Sequence, residues 1–202
     1  MTDLFVKLNL SKEAGPYQSA ISILNGDLRK ICEYIEPVDD NLKVYSHRIY
    51  ELYIRTCTEW ESLCKDALIA IGATKNPENM NISDYVTLEK SLNLESLEIG
   101  ISFWNPKPKY IRPYQGWATS HPPLNWYQDH HMVKHNRNAK FEHANFHNLL
   151  FAITALFALH VRVNFVARGS GDTERNLENQ REYTFKNQLF SLRDDIKLLK
   201  SG

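Results

Sequence analysis

A long stripe of apolar residues with helical spacing is the feature that most constrains the fold of this chain. Between positions 49 and 71, apolar side chains recur in steps of four and three residues, which places them on one face of an α-helix. The members of the stripe are Ile49, Tyr53, Cys57, Trp60, Cys64, Ala67 and Ile71. Gly72 follows at the position where a glycine commonly ends a helix. We therefore predict one long helix over 41–72, whose apolar face requires other helices to cover it.

Further segments show the same periodicity. We predict helices over 16–36, from Ser83 to about Leu92, over 124–135, and from Ala139 to about Phe165, with a break at 136–138. The last of these contains the longest apolar run of the chain, the eleven residues from Leu149 to Leu159. Because a bilayer-spanning helix needs about 20 apolar residues, this run predicts a buried core helix.

One region departs from the helical pattern. From Leu97 to Phe103, apolar and polar or small residues alternate, which is the period of a β-strand. Two prolines then turn the chain, so that 97–117 is predicted to form a hairpin, with Pro113 marking its second arm as an edge. The expected fold is mainly α, a helical bundle with a small inserted β-hairpin. It occupies 1–167 as a single domain, followed by a polar linker at 168–183 and an amphipathic helix at 184–200.

Composition excludes some classes of function and indicates a compartment. The 24 basic residues balance 24 acidic ones, so no net positive charge favours a DNA-coating or membrane-surface protein. The first residues lack the basic and apolar regions of a secretory signal. The cysteines form no CxxC pair, and they are expected to be buried thiols, which fits a reducing cytoplasm. We expect a cytoplasmic protein that does not bind membranes.

The segment most informative about function is rich in histidine. Five of the eight histidines lie between positions 130 and 147, immediately before the most apolar helix. Three interpretations are open. A metal site is favoured by His131/His135 and His143/His147, because each pair has the i,i+4 spacing that places two imidazoles on one helix face. It is disfavoured by the absence of HExxH, by the single nearby carboxylate, Asp129, and by the helix break between the pairs.

The second interpretation is acid–base chemistry on a phosphodiester. It requires an imidazole that titrates near neutrality and a guanidinium that holds the phosphate. Arg137 in the turn and His143 on the first turns of the last core helix would meet this need, with the free amides of that helix directed at the same anion. Asn138 would cap the helix or orient the substrate. The third interpretation is a hydrogen-bonded junction that only holds two helices together.

The residues around this turn resemble a known superfamily. Arg137 and His143 form an R-N-x4-H string, which is similar to the Rx4-6H motif of the HEPN superfamily, the higher eukaryote and prokaryote nucleotide-binding domains. The wider string VKHNRNAKFEHANFHNLLFAITALF resembles the HEPN-like segment in which a Lys-His-x-Arg turn precedes the last core helix. Residues 48–65 resemble the long helix that precedes it. The resemblance covers about 45 of the 202 residues.

This resemblance implies an α-helical bundle that is often dimeric, with the two motif helices facing each other. Active members of the superfamily are metal-independent endoribonucleases of toxin–antitoxin, abortive-infection or other defence systems. It implies that His143 assists attack of a ribose 2′-hydroxyl and that Arg137 holds the phosphate. We assign substrate-binding roles to Lys134, His135, Asn138 and His147.

The predicted partners are RNA, a second copy of the chain and a cognate antitoxin or regulatory protein, and no metal or cofactor is predicted. Other members of the superfamily are noncatalytic and bind nucleotides, nucleic acid or proteins. The alternative function is accordingly a noncatalytic helical interaction or structural protein with a polar inter-helix turn.

Overall fold

Helices make up most of the part of the chain that the computed structural model describes, which is residues 16–117, 124–167 and 189–193. In chain order the helices are α1 (Pro16–Cys32), α2 (His47–Ala70), α3 (Ile82–Tyr85), α4 (Leu88–Leu92), α5 (Asn125–His135), α6 (Arg137–Lys140) and α7 (Phe146–Ala167). Short 3-10 turns cover Asp39–Asn41, Pro77–Asn79 and Phe141–His143. The strands are β1 (Glu98–Ile101), β2 (Lys109–Ile111) and β3 (Phe190–Arg193). The predicted fold class, mainly α with a small inserted hairpin, is confirmed.

The two central helices are α2 and α7, which pack against each other, while α1 packs on α2 and α5 contacts both. Helix α2 begins where the Ser46 hydroxyl accepts a hydrogen bond from the Ile49 amide at 3.2 Å, as an N-cap does. It ends before Gly72, whose φ of +99° lies in the region that favours glycine. The predicted stripe is buried as far as Ala67, and Ile71 is 43% exposed because the helix has ended before it.

The apolar helix α7 is the centre of the core. Its segment from Phe146 to Asn164 is long and apolar enough to cross a membrane, but 89% of this apolar stretch is buried inside the protein. Two buried tyrosines attach other elements to the core: the Tyr114 hydroxyl donates to the Ala155 carbonyl of α7 at 2.9 Å, and the Tyr53 hydroxyl of α2 donates to the Trp126 carbonyl of α5. These bonds fix the positions of the helices that carry the polar segment.

The predicted hairpin is present. β1 and β2 pair antiparallel, with Ile99 opposite Ile111, and β2 is an edge strand as the proline pattern indicates. In the described residues a third strand, β3, pairs antiparallel with the other side of β1, so the strand order is β2-β1-β3. Gly100 has no room for a side chain there, because a Cβ would lie 2.5 Å from the Ser191 hydroxyl and 2.9 Å from the Tyr110 ring.

The helix predicted over 184–200 is wrong for residues 190–193, which form β3. The open edge of β1 offers backbone hydrogen-bonding groups, and a four-residue segment with alternating apolar residues suits a strand as well as a helix. Phe190 is buried against Phe103 and Phe157, so this segment joins the core of the helical domain. Leu189, in a turn before β3, is also not helical. Residues 184–188 and 194–200 and the linker predicted at 168–183 lie outside the described residues.

The predicted start of the last core helix also needs correction. Instead of beginning near Ala139, α7 begins at Phe146, and the residues before it form α6 and a 3-10 turn. The Asn145 side chain accepts a hydrogen bond from the Asn148 amide at 3.0 Å, which is how an asparagine caps a helix. His143 therefore lies in the 3-10 turn ahead of the helix, and the segment between α5 and α7 is longer than predicted.

Candidate functional site

His143 is held by a carboxylate. Its Nδ1 lies 2.9 Å from Oδ1 of Asp129, which belongs to α5, and both side chains are about a quarter exposed. Because an ionised carboxylate only accepts hydrogen bonds, Nδ1 must carry a proton and donate it to Asp129. In the neutral imidazole, Nε2 is then an unprotonated acceptor. This is the tautomer that a general base at Nε2 requires.

Asn148 completes this arrangement from the first turns of α7. Its Nδ2 donates to Oδ2 of Asp129 at 2.7 Å and to the backbone carbonyl of His143 at 2.9 Å. Since both partners are acceptors, the orientation of the amide is determined, and its oxygen faces Nδ1 of His147 at 3.2 Å. Asn148 is only 3% exposed. The Asp129 carboxylate thus has a partner on each oxygen. The 3-10 turn Phe141–His143, called the His143 turn below, is held through the backbone carbonyl and the ring of His143.

Arg137 has a different set of partners. Its Nη2 lies 2.7 Å from Nδ1 of His47 at the start of α2, and a guanidinium can only donate. Its guanidinium carbon lies 4.7 Å from the centre of the Tyr50 ring and 5.4 Å from that of Phe141. Both distances are typical of a cation–π contact. Arg137 is exposed, and the bond to His47 uses one of its five N–H donors.

The predicted direction of the helix amides is wrong, as is the predicted position of His143 on the first turns of the last core helix. The first amides of α7 do not point at a shared anion, because Phe146 N–H donates to the Val44 carbonyl at 2.8 Å and His147 N–H to the Leu42 carbonyl at 2.9 Å. Arg137 makes its contacts on the α2 side of the segment, whereas His143 makes its contacts with α5 and α7. The two predicted catalytic side chains flank Phe141 in sequence, and each has partners of its own.

The predicted substrate-binding residues have different environments. Lys134, His135 and Asn138 are exposed, and the ring centroid of His135 lies 4.4 Å from that of His131. His147 is partly buried and stacks on Phe151 with a centroid distance of 4.4 Å. The i,i+4 pair of His143 and His147 is divided between Asp129 and Asn148. Among the residues described, no group of three or more His, Cys, Asp or Glu side chains is placed to hold a metal ion.

His130 belongs to the core although it lies next to Asp129 in the sequence. It is 1% exposed, and within the described ranges neither ring nitrogen has a hydrogen-bond partner. It packs against the rings of Tyr53 and Tyr127, with Oε1 of Glu61 at 3.9 Å. Burial, assisted by Lys134 and the neighbouring histidines, lowers the pKa of His130 to about 4. It is therefore a neutral imidazole at pH 7.

Sequence reasoning did not assign functional roles to His47, Tyr50, Phe141 or Asn148, and it weighed Asp129 only as a metal ligand. The first two lie about 90 positions before Arg137, so no local spacing connects them with the histidine-rich segment. The sequence does carry a signal for Asn148, because it is a polar residue directly before the apolar run of the last core helix.

Comparisons with known proteins supply no family for this chain. A scan against protein-family models found no match, and neither a search of curated proteins nor a search of solved structures found a similar protein. Membership of the HEPN superfamily accordingly stays a prediction from the motif residues, and the function is proposed from the geometry above.

Proposed function

We propose that this chain is a HEPN-like, metal-independent endoribonuclease in which His143 is the general base and Arg137 binds the phosphate. The observation that supports this most directly is the Asp129–His143 hydrogen bond of 2.9 Å, because it leaves Nε2 of His143 as the acceptor. A general base must have its acceptor nitrogen available and its ring orientation held. Asp129 and Asn148 together supply that orientation.

In the proposed reaction, Nε2 of His143 removes the proton of a ribose 2′-hydroxyl. The resulting oxygen attacks the adjacent phosphorus, the bond from phosphorus to the 5′-oxygen breaks, and the leaving oxygen takes up a proton from water. Arg137 stabilises the negative charge on the phosphoryl oxygens, since a guanidinium can donate two parallel hydrogen bonds to them. The products are a 2′,3′-cyclic phosphate and a free 5′-hydroxyl.

The proposal includes the setting that the resemblance implies. We propose a homodimer that acts on cytoplasmic RNA in a defence or toxin–antitoxin type system, with a cognate antitoxin or regulatory protein that controls it. Lys134 and His135, both exposed at the end of α5, contact the bound RNA in this proposal. Size-exclusion chromatography with light scattering tests the homodimer, for which a mass near twice 23.5 kDa is expected.

A noncatalytic interaction or structural protein is the second candidate. It is favoured by the bonds of Phe146 and His147 to the carbonyls of 42–44 and by the contacts of Arg137 with His47 and Tyr50. These contacts join α2, α6 and α7 in the manner of a structural junction. In that case the same polar residues stabilise the fold and no RNA is cleaved.

Cleavage of labelled RNA in EDTA distinguishes the two candidates. We expect the purified protein to cleave RNA without divalent metal and to leave 2′,3′-cyclic phosphate ends. Arg137→Ala should lower the rate by about 10²-fold or more, the magnitude seen when a group that stabilises developing charge is removed. Arg112→Ala is the matched control, because Arg112 is exposed on the hairpin beside Glu98. This variant should cleave RNA at the wild-type rate.

Absence of cleavage by the wild-type protein would contradict the nuclease proposal and favour the noncatalytic one. Equal cleavage by Arg137→Ala and the wild type would remove Arg137 from the mechanism. Circular dichroism of each variant establishes that it is folded, so that a loss of activity reports on chemistry.

A further inference from the structure

An exposed aromatic cluster lies beside Arg137, and the proposed reaction does not use it. We define the aromatic cluster as Tyr45, His47, Tyr50 and Phe141. Phe141 is at its centre, with ring centroids at 5.6 Å for Tyr45, 4.9 Å for His47 and 5.9 Å for Tyr50. The Tyr45 and Phe141 rings are nearly perpendicular, with an interplanar angle of 84°, and Tyr45 is 51% exposed. A large ring that is half in solvent on an ordered surface has a face available for a ligand.

The backbone holds this cluster in a fixed relation to the His143 turn. Tyr45 pairs with Asn145 in an isolated antiparallel β-bridge. Just before Tyr45 in the sequence, Val44 and Leu42 accept hydrogen bonds from the first amides of α7. The Asn145 side chain in turn donates to the Glu142 carbonyl at 3.1 Å. Tyr45 is therefore joined to the segment that carries the proposed general base, and a ligand bound on its ring would lie next to that segment.

Charge indicates which ligand suits this surface. Lys43 and Arg48 are exposed on either side of Tyr45 in the sequence, and Arg137 is exposed above Tyr50 and Phe141. Arg48 has a carboxylate partner, since it lies 3.1 Å from Glu51, whereas the hydrogen bond of Arg137 goes to a histidine ring nitrogen. Aromatic faces combined with a positively charged surface are the features by which proteins bind single-stranded nucleic acid, because every base presents a π-face for stacking.

We propose that the aromatic cluster is a base-binding subsite for single-stranded RNA, in which a base stacks on Tyr45 and the adjacent phosphate contacts Arg137. This inference rests on the RNA-binding part of the proposed function and names its substrate class. A paired base cannot stack on a side chain in this way, since its faces are covered by its neighbours in the duplex. The subsite accordingly selects RNA that is single-stranded at the base next to the scissile phosphate.

Binding of a 2′-O-methyl oligonucleotide tests the subsite separately from cleavage, because the methyl group blocks the attacking 2′-oxygen. Fluorescence anisotropy with a labelled single strand should show that Tyr45→Ala weakens binding by about tenfold, as expected when one stacked base is lost. Tyr45→Phe keeps the ring and should bind within about twofold of the wild type. Tyr34→Ala is the control, since Tyr34 is 88% exposed at the end of α1, and it should not alter the affinity.

Several outcomes would overturn the subsite. Equal affinity of Tyr45→Ala and the wild type is one, and equal affinity of the wild type for a duplex and a single strand is another. Copurification of a protein partner that is lost in Tyr45→Ala, with RNA affinity unchanged, would assign the surface to protein binding instead. Weakened binding by Tyr45→Ala in a protein that cleaves no RNA would support the subsite and contradict the nuclease. RNA cleavage by the wild type, together with unchanged binding by Tyr45→Ala, would support the nuclease and contradict the subsite.

Discussion

The two sides of α5 place two histidines in opposite environments. His130 faces α2, where it is buried against tyrosine rings and its ring nitrogens have no hydrogen-bond partner among the described residues. His143 meets the other side of α5, where Asp129 binds Nδ1 and the ring is 29% exposed. Each ring has a carboxylate in its neighbourhood, at 3.9 Å for His130 and at 2.9 Å for His143.

The difference shows that a nearby carboxylate alone does not make a histidine suitable for acid–base chemistry. For His130, desolvation is the largest influence on the pKa and it favours the neutral form. For His143, a direct hydrogen bond determines the tautomer and the partial exposure leaves the ring accessible to substrate. We therefore assign His130 to the core and His143 to the site, and the predictions below test that division in order of decreasing effect.

The largest expected effect is the acid sensitivity caused by His130. In the unfolded chain an imidazole binds a proton near pH 6.5, whereas the folded pKa is about 4. The unfolded state therefore binds more protons between these values, so that the contribution to the free energy of unfolding is complete above pH 6.5 and decreases as the pH falls to 4. The total decrease is about 3 kcal/mol.

Urea unfolding of wild type and His130→Phe at pH 7 and pH 4 measures this decrease. Phenylalanine keeps an aromatic ring at this position and does not titrate, so the variant should lose about 3 kcal/mol less than the wild type over that interval. Equal losses in the two proteins would mean that His130 is not held neutral by burial.

The second effect concerns the carboxylate that binds His143. In Asp129→Asn, the amide oxygen would accept from Nδ2 of Asn148 and the amide nitrogen would donate to Nδ1 of His143. The neutral imidazole would then carry its proton on Nε2, where a general base needs an acceptor. We expect the rate of RNA cleavage to fall by about 10²-fold, because the imidazole is held in the wrong tautomer and loses the stabilising charge of the carboxylate. Glu61→Gln, at the carboxylate near His130, is the matched control and should leave the rate unchanged. A similar reduction of the cleavage rate in both variants would contradict the assignment of His143 to the site and of His130 to the core.

The third effect is on stability. Asn148→Ala removes the donor to Asp129 and to the His143 carbonyl from a position that is 3% exposed. Because the Asp129 carboxylate and the His143 carbonyl each lose this donor, the free energy of unfolding should fall by about 2 kcal/mol. Asn164→Ala, at a half-buried asparagine of the same helix that donates to the His160 carbonyl, should cost less than about 1 kcal/mol. Thermal denaturation of both variants measures the difference, and equal costs would show that the Asn148 network adds nothing.

The smallest effect is expected at Glu142. Its carboxylate lies 3.8 Å from Nε2 of His143 and is 58% exposed, so solvent screens the interaction. Glu142→Gln should change the cleavage rate by less than about twofold. A loss as large as that of Asp129→Asn would make Glu142 the carboxylate that matters for His143.

The helices of this fold could be predicted where the apolar periodicity extends over many residues. The stripe that begins at Ile49 gives α2, and Gly72 marks its end because the backbone there adopts a positive φ. The short segments could not be predicted in the same way. Phe190–Arg193 becomes a strand through pairing with β1, which lies about 90 positions away, and the start of α7 depends on the Asn145 side chain and on carbonyls of the 42–44 segment.

The candidate site was predictable in its residue types and only in part in its geometry. A cluster of histidines beside Arg137 is visible in the sequence, and the exposure of Arg137 and the partial exposure of His143 agree with a role at a surface. Which histidine is buried was not visible, because His130 and His131 are neighbours and only the packing of α5 on α2 separates them. The partner of Arg137, His47, comes from a distant helix.

Metal-free cleavage of a single-stranded RNA by His143→Gln and His130→Phe, measured side by side in EDTA, tests the central claim most directly. Glutamine keeps a polar side chain at position 143 but has no titratable nitrogen, so we predict a loss of about 10²-fold. His130→Phe should cleave within about twofold of the wild type. Undiminished cleavage by a folded His143→Gln protein, or a comparable loss in His130→Phe, would contradict the account.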